Sequence, residues 1–207
     1  MKEQYPLTLR AVPGVWRIFS ARKGDPAFRA FAEKVYQRDG YTCQFCGFQA
    51  REFQEIVNLD HNYYANKISN LITACCFCSQ CLFIESIGVE EYGGGTLIYL
   101  PEMNQGQLNA FCHVLFCAIT NDTGYKSSAQ TIFRNFKSRS QMVEDKFGEG
   151  SSDPAVFAQM LLNAATGVEY KKIESDILKN ICLLPSMSKF RKQIEQWAAT
   201  ALEELSK

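Results

Sequence analysis

The sequence has no excess charge, no basic stretch through its middle and no apolar run of bilayer length. Lys plus Arg and Asp plus Glu number 22 each, so the net charge gives no reason to approach a polyanion such as nucleic acid. Residues 1–81 hold ten basic and seven acidic side chains, residues 82–125 five acidic and no basic ones, and residues 126–207 twelve and ten. No segment is strongly basic, and nucleic acid is not expected as a partner. The charge-free run Met103 to Asn121 has its mostly apolar part at Leu108 to Ile119, too short for the ~20 residues of a membrane helix, so no direct membrane insertion is expected. The opening MKEQYPLTLR does not read as a signal peptide, and there is no internal repeat or low-complexity linker. What is present is 207 residues, 46% hydrophobic and 13% aromatic, enough to bury a sizeable core.

The nine cysteines are an odd number in closely spaced pairs, which argues for a reducing compartment, the cytosol, over a disulfide framework. Cys43 and Cys46 form one Cys-x-x-Cys turn. A second group follows at Cys75, Cys76, Cys78 and Cys81. Each such turn points two thiolates at one metal position, so two of them predict a single, structural, four-cysteine zinc site. The second pair can be read as Cys75 with Cys78 or as Cys78 with Cys81, which has the same internal spacing. A redox reading of these pairs would need a thioredoxin-like strand–helix setting, which is missing. Cys112, Cys117 and Cys182 sit in apolar contexts and read as small hydrophobes, and His113 as a surface or boundary residue.

Taken in order, TLRAVPGVWRIFSAR alternates loosely around Pro13-Gly14 and predicts a β-hairpin. Asp25-Pro26 reads as a helix cap, with Phe28, Phe31, Ala32 and Val35 at helical spacing behind it. Glu52 to Leu59 has strand character, which leaves Asp60-His61 at a strand end and Tyr63 and Tyr64 in the loop beyond, placed to cover it. A short helix and a strand over TLIYLP follow. Helices are predicted from about Asn104 to Thr120, from Ser127 to Phe147, from an Asp153-Pro154 cap to Gly167, and from Ser188 to Leu205. The last carries an apolar stripe of Phe190, Ile194, Trp197, Ala198, Ala201, Leu202 and Leu205, a core face or a docking face for a partner helix. The fold class is α+β, with a zinc-bearing region over residues 1–100, containing N-terminal strands and a helix, and a largely helical region over 101–207 packed on or beside it.

The order Cys-x-x-Cys, Asp60-His61, Asn70-Leu71, then a Cys pair beginning five residues after the Asn, entered by RDGYTCQFCG, resembles the HNH endonuclease family over roughly residues 37–82. The resemblance implies a ββα core in which a histidine at the strand end is the general base, an asparagine braces the loop, and a His or Asn after the final zinc cysteine completes a divalent-metal site. His61 matches the base, Asp60 the neighbouring acid and Asn70 the brace. The third position falls on Ser79, whose neutral hydroxyl is a poor ligand for the ion that phosphodiester hydrolysis needs. The resemblance therefore implies a retained zinc scaffold with a vestigial, noncatalytic site, Cys43, Cys46, Cys75 and Cys78 holding zinc. The alternative is a divergent metal-dependent nuclease with His61 as base. With its LDHNYYANKISNL centre, CCFCSQC close and helical second half, the whole chain is also similar to zinc-bearing components of the coupling complex of bacterial type IVB (Dot/Icm) secretion systems. That implies a cytoplasmic adaptor held at the inner membrane through the complex, gripping the C-terminal segment of the coupling ATPase DotL among other subunits to help recruit effector proteins.

Overall fold

A computed structural model describes residues 4–164 and 178–205; the predicted helix stop at Gly167 lies outside them. Residues 5–12 run as an extended strap, its Tyr5 N–H donating to the Gln44 carbonyl and its Arg10 N–H to that of Cys81. The expected hairpin after it is instead a helix, α1 (Val15–Arg22). Pro13-Gly14 makes the turn that starts it, Gly14 having φ 78°. Trp16, Phe19 and Arg22 are buried along one face, a three-residue recurrence that a two-residue alternation cannot satisfy.

In α2 (Pro26–Arg38), the Asp25 carboxylate accepts from the Ala27 N–H and proline takes the first helical position, as the sequence predicts. β1 (Gln54–Asn58) and β2 (Leu71–Cys75) pair antiparallel, Ile56 opposite Thr73. All five residues of β2 are buried, because the hairpin lies between two apolar layers. Ile56 and Leu71 pack on Phe28, Ala32 and Val35 of α2, while Val57, Ile72 and Ala74 join the main core. A one-turn helix, α3 (Cys76–Ser79), follows β2 directly.

β3 (Gly95–Tyr99) pairs antiparallel with β4 (Ile181–Pro185), Leu97 opposite Leu183. β4 is a short apolar run, ICLLP, that the sequence reading passes over. The remaining elements are α4 (Gln105–Thr120), α5 (Lys126–Ser138), α6 (Ser140–Phe147), α7 (Pro154–Ala164) and α8 (Arg191–Leu205). The single helix expected over Ser127 to Phe147 is broken at Arg139, whose side chain bonds Glu102 and whose carbonyl accepts from the Tyr99 N–H. β3 stands before residue 100 and its partner strand in the helical half, and one continuous core runs from Leu7 and Phe19 through Phe77 and Phe83 to Leu183 and Ile194. Phe190, just before α8, and Ile194 and Ala198 on it are core residues, while Leu202 is 48% exposed. No helix among the described residues is long and apolar enough to cross a membrane.

Candidate metal centre

The first cysteine pair is held by a tight turn between Thr42 and Gln49, in which the Gly47 N–H donates to the Cys43 carbonyl and the Cys43 N–H to that of Phe48. Gly47 has φ 78°, a left-handed conformation that favours glycine. The second pair comes from the end of β2 and the first turn of α3, so a strand-to-helix corner aims Cys75 and Cys78 back at the turn. The sulfur atoms of Cys43, Cys46, Cys75 and Cys78 all lie within 4.8 Å of one another, and all four residues are buried. Geometry therefore picks Cys75 with Cys78 over Cys78 with Cys81. The Cys81 thiol turns to the Phe77 carbonyl, 3.3 Å away.

Four soft donors around one point suit a zinc ion. A regular tetrahedron with zinc–sulfur bonds of about 2.3 Å has edges of about 3.8 Å, and Cys46 Sγ lies 3.7 Å from Cys75 Sγ. At Cys43 burial opposes ionisation, yet hydrogen bonds from the other three thiols outweigh it and pull the group well below its ordinary value. Burial pushes Cys75 and Cys78 well up. Four dry thiolates are tolerable only around a cation that offsets their charge. None of the nine cysteines is paired in a disulfide.

His113 belongs to this site, not to the surface. It is 8% exposed, its ring stacked between Phe48 at 3.5 Å and Phe77 at 4.4 Å, with Trp197 edge-on at 5.0 Å. Burial lowers its pKa to about 3, the Cys43 charge acting the other way. Its Nε2 is 3.4 Å from Cys75 Sγ, and one helical turn earlier Asn109 Nδ2 is 3.2 Å from Cys78 Sγ. The signal was available: Gln105, Asn109 and His113 are polar residues at four-residue spacing on a helix otherwise rich in apolar ones. α4 reaches the site because its first turn bears on the turn of the first pair; a Cβ at Gly106 would stand 2.7 Å from the Phe45 carbonyl.

The other sequence-predicted residues lie outside the cysteine cluster, Asp60 and Asn70 paired with each other. Asp60 is exposed in the turn after β1, where its N–H donates to Asn70 Oδ1 at 3.0 Å and its carboxylate accepts from Asn70 Nδ2 at 2.7 Å. The bond it accepts from the Asn62 N–H, and then that from the Asn70 amide, hold its carboxyl below the usual range. His61 is half-buried with φ 60°, its pKa lowered by burial and by Arg10, against the pull of Asp60. Tyr64 is 83% exposed, whereas Tyr63 turns into the core beneath Arg22. That buried guanidinium pins the loop from inside, bonding Asn58 Oδ1 at 2.7 Å and Asn66 Oδ1 at 3.2 Å; burial lowers its pKa to about 10. Ser79 is fully buried, its hydroxyl donating to the Glu55 carboxylate, which also pairs with Lys23. Among the described residues, the four cysteines are the one group of three or more His, Cys, Asp or Glu close enough to share an ion.

No protein-family profile matches the chain. Compared with curated proteins, it is 63% identical over 205 residues to the type 4 apparatus protein DotN of Legionella pneumophila subsp. pneumophila, an alignment that covers 99% of this chain and 95% of that protein.

Proposed function

The chain belongs to the DotN family of type 4 apparatus proteins, and from that premise we propose that it is a noncatalytic, zinc-stabilised adaptor subunit of a bacterial type IVB (Dot/Icm) coupling complex. In this reading it binds the C-terminal segment of the coupling ATPase DotL, and with the other subunits helps to recruit effector proteins. It stays cytoplasmic and meets the inner membrane only through the complex. The observation that carries the reading is the identity of 63%, which runs through the whole chain and is not confined to the cysteine region.

The hairpin β1–β2 followed by α3 is an HNH-like ββα core whose chemistry has been given up. Ser79 supports this reading: its buried hydroxyl is spent on the Glu55 carboxylate. Cys43, Cys46, Cys75 and Cys78 would hold the zinc, a four-thiolate ion with no open position, which supplies folding energy and no activated water. The absence of Lys and Arg between Lys67 and Lys126 deprives the segment beyond the cysteines of phosphate contacts. Residues 1–100 form the zinc-bearing region, and 101–207 the helical one packed on it.

The test is size-exclusion chromatography of the full-length protein with the DotL C-terminal segment, beside incubation of supercoiled plasmid with magnesium or manganese. Co-elution with intact plasmid is the expected result. Plasmid cleavage that vanishes in a His61→Ala protein, with no co-elution, would establish the nuclease instead.

A further inference from the structure

Two α4 side chains touch sulfur atoms of the four-cysteine cluster, and a chain of hydrogen bonds determines how the first of them, Asn109, faces it. It begins at the backbone of β4. The Leu183 N–H donates to Gln105 Oε1 at 2.7 Å, which leaves Gln105 Nε2 as the donor to the Leu183 carbonyl, and to Asn109 Oδ1, each at 2.9 Å. With its oxygen taken, the Asn109 amide can turn only its NH2 towards the cluster, where it meets the Phe77 carbonyl and Cys78 Sγ, each at 3.2 Å, and Cys81 Sγ at 3.9 Å. The backbone N–H of a strand thus dictates, two residues away, that a donor faces the sulfur.

His113 is fixed by stacking. Phe48 and Phe77 lie nearly parallel to its ring, at interplanar angles of 5° and 18°, so the imidazole can only present its edge, and Nε2 lies 3.4 Å from Cys75 Sγ. A metal-bound thiolate accepts and cannot donate, so Nε2 carries the hydrogen. Both contacts fall on the second cysteine pair, and both come from one helix of the other half of the chain.

We infer that Asn109 and His113 are positioning residues of the metal centre, donating N–H···S hydrogen bonds to the Cys78 and Cys75 thiolates and thereby holding the ion and tying it to β4 through Gln105. This rests on the zinc reading above. Outer partners of this kind draw off thiolate charge and fix ligand rotamers, and losing one typically costs about 10–100-fold in metal affinity.

The direct test is NMR of isotope-labelled protein in which NMR-active cadmium replaces zinc, together with zinc transfer to a chelator from Asn109→Leu and His113→Phe proteins. The second substitution keeps an aromatic ring in the stack and removes only the donor. Scalar coupling is expected from cadmium to the Asn109 side-chain amide and to the His113 ring N–H. Each variant should lose its own coupling and hold zinc about 10–100-fold more weakly. A four-sulfur cadmium resonance without either coupling, and zinc affinity unchanged in both variants, overturns the inference while leaving the zinc reading intact. Failure of cadmium to give a four-sulfur resonance at all overturns both.

Discussion

A Cys43→Ser protein should contain no stoichiometric zinc and should be insoluble or partly unfolded, whereas a Cys81→Ser protein should keep both metal and fold. Cys43 is 1% exposed, within 4.8 Å of the other three sulfurs. A serine there leaves three thiolates and a poor oxygen donor around the ion. Structural zinc sites contribute about 10–16 kcal/mol, while domains of ordinary size are stable by only about 5–15 kcal/mol, so the loss is comparable with the whole stability. Cys81 is equally buried but its thiol bonds the Phe77 carbonyl, which a hydroxyl can do as well, and only a small transfer cost is left. Zinc content and far-ultraviolet circular dichroism of the two proteins decide the matter. A soluble, folded, zinc-free Cys43→Ser protein would contradict the site, and loss of zinc from Cys81→Ser would move the second pair.

Phe77→Ala should cost about 3–5 kcal/mol, the range for truncating a fully buried aromatic ring. Few side chains join as much of this molecule. Phe77 is 0% exposed; it stacks on His113 of α4 and meets Phe116, Phe190 and Trp197 edge-on at 5.7, 4.9 and 5.6 Å. With Cys76 it lies between Cys75 and Cys78 in the chain, so the cavity opens beside the four-cysteine cluster and removes one face of the His113 stack. In a protein of this size that cost lowers the melting temperature by roughly 6–20 °C. Denaturant unfolding measures it. A loss below about 1 kcal/mol would mean that the zinc-bearing and helical regions do not share the interior described here.

Legibility in the sequence followed the range of the interactions responsible. Asp25-Pro26 and Asp153-Pro154 act within one turn of chain, and each starts a helix where local chemistry predicts. The cysteines were legible for the same reason, two sulfurs three residues apart being a local device; which second pair shares the site depends on the corner between β2 and α3, and only the fold decides. The N-terminal segment was misread because Pro13-Gly14 serves equally well for a hairpin or a helix start, and the burial of Trp16 and Phe19 against Tyr92 and Phe83 settles it from far along the chain. β4 escaped because five apolar residues carry no periodicity, and its pairing with β3 spans more than eighty positions. His113 was misplaced because its four-residue spacing from Asn109 and Gln105 marks a polar stripe without saying what that stripe faces; its role exists only once Phe48, Phe77 and Cys75 have been gathered round it.

In the proposed function, a zinc ion closed by Cys43, Cys46, Cys75 and Cys78 would hold a scaffold together and perform no hydrolysis. X-ray absorption at the zinc edge of the purified full-length protein tests it most directly. One zinc per chain, with four sulfur neighbours at about 2.3 Å and no nitrogen or oxygen in the first shell, is the predicted result. A first shell containing a nitrogen or oxygen neighbour would mean an open or mixed site, and would contradict the account.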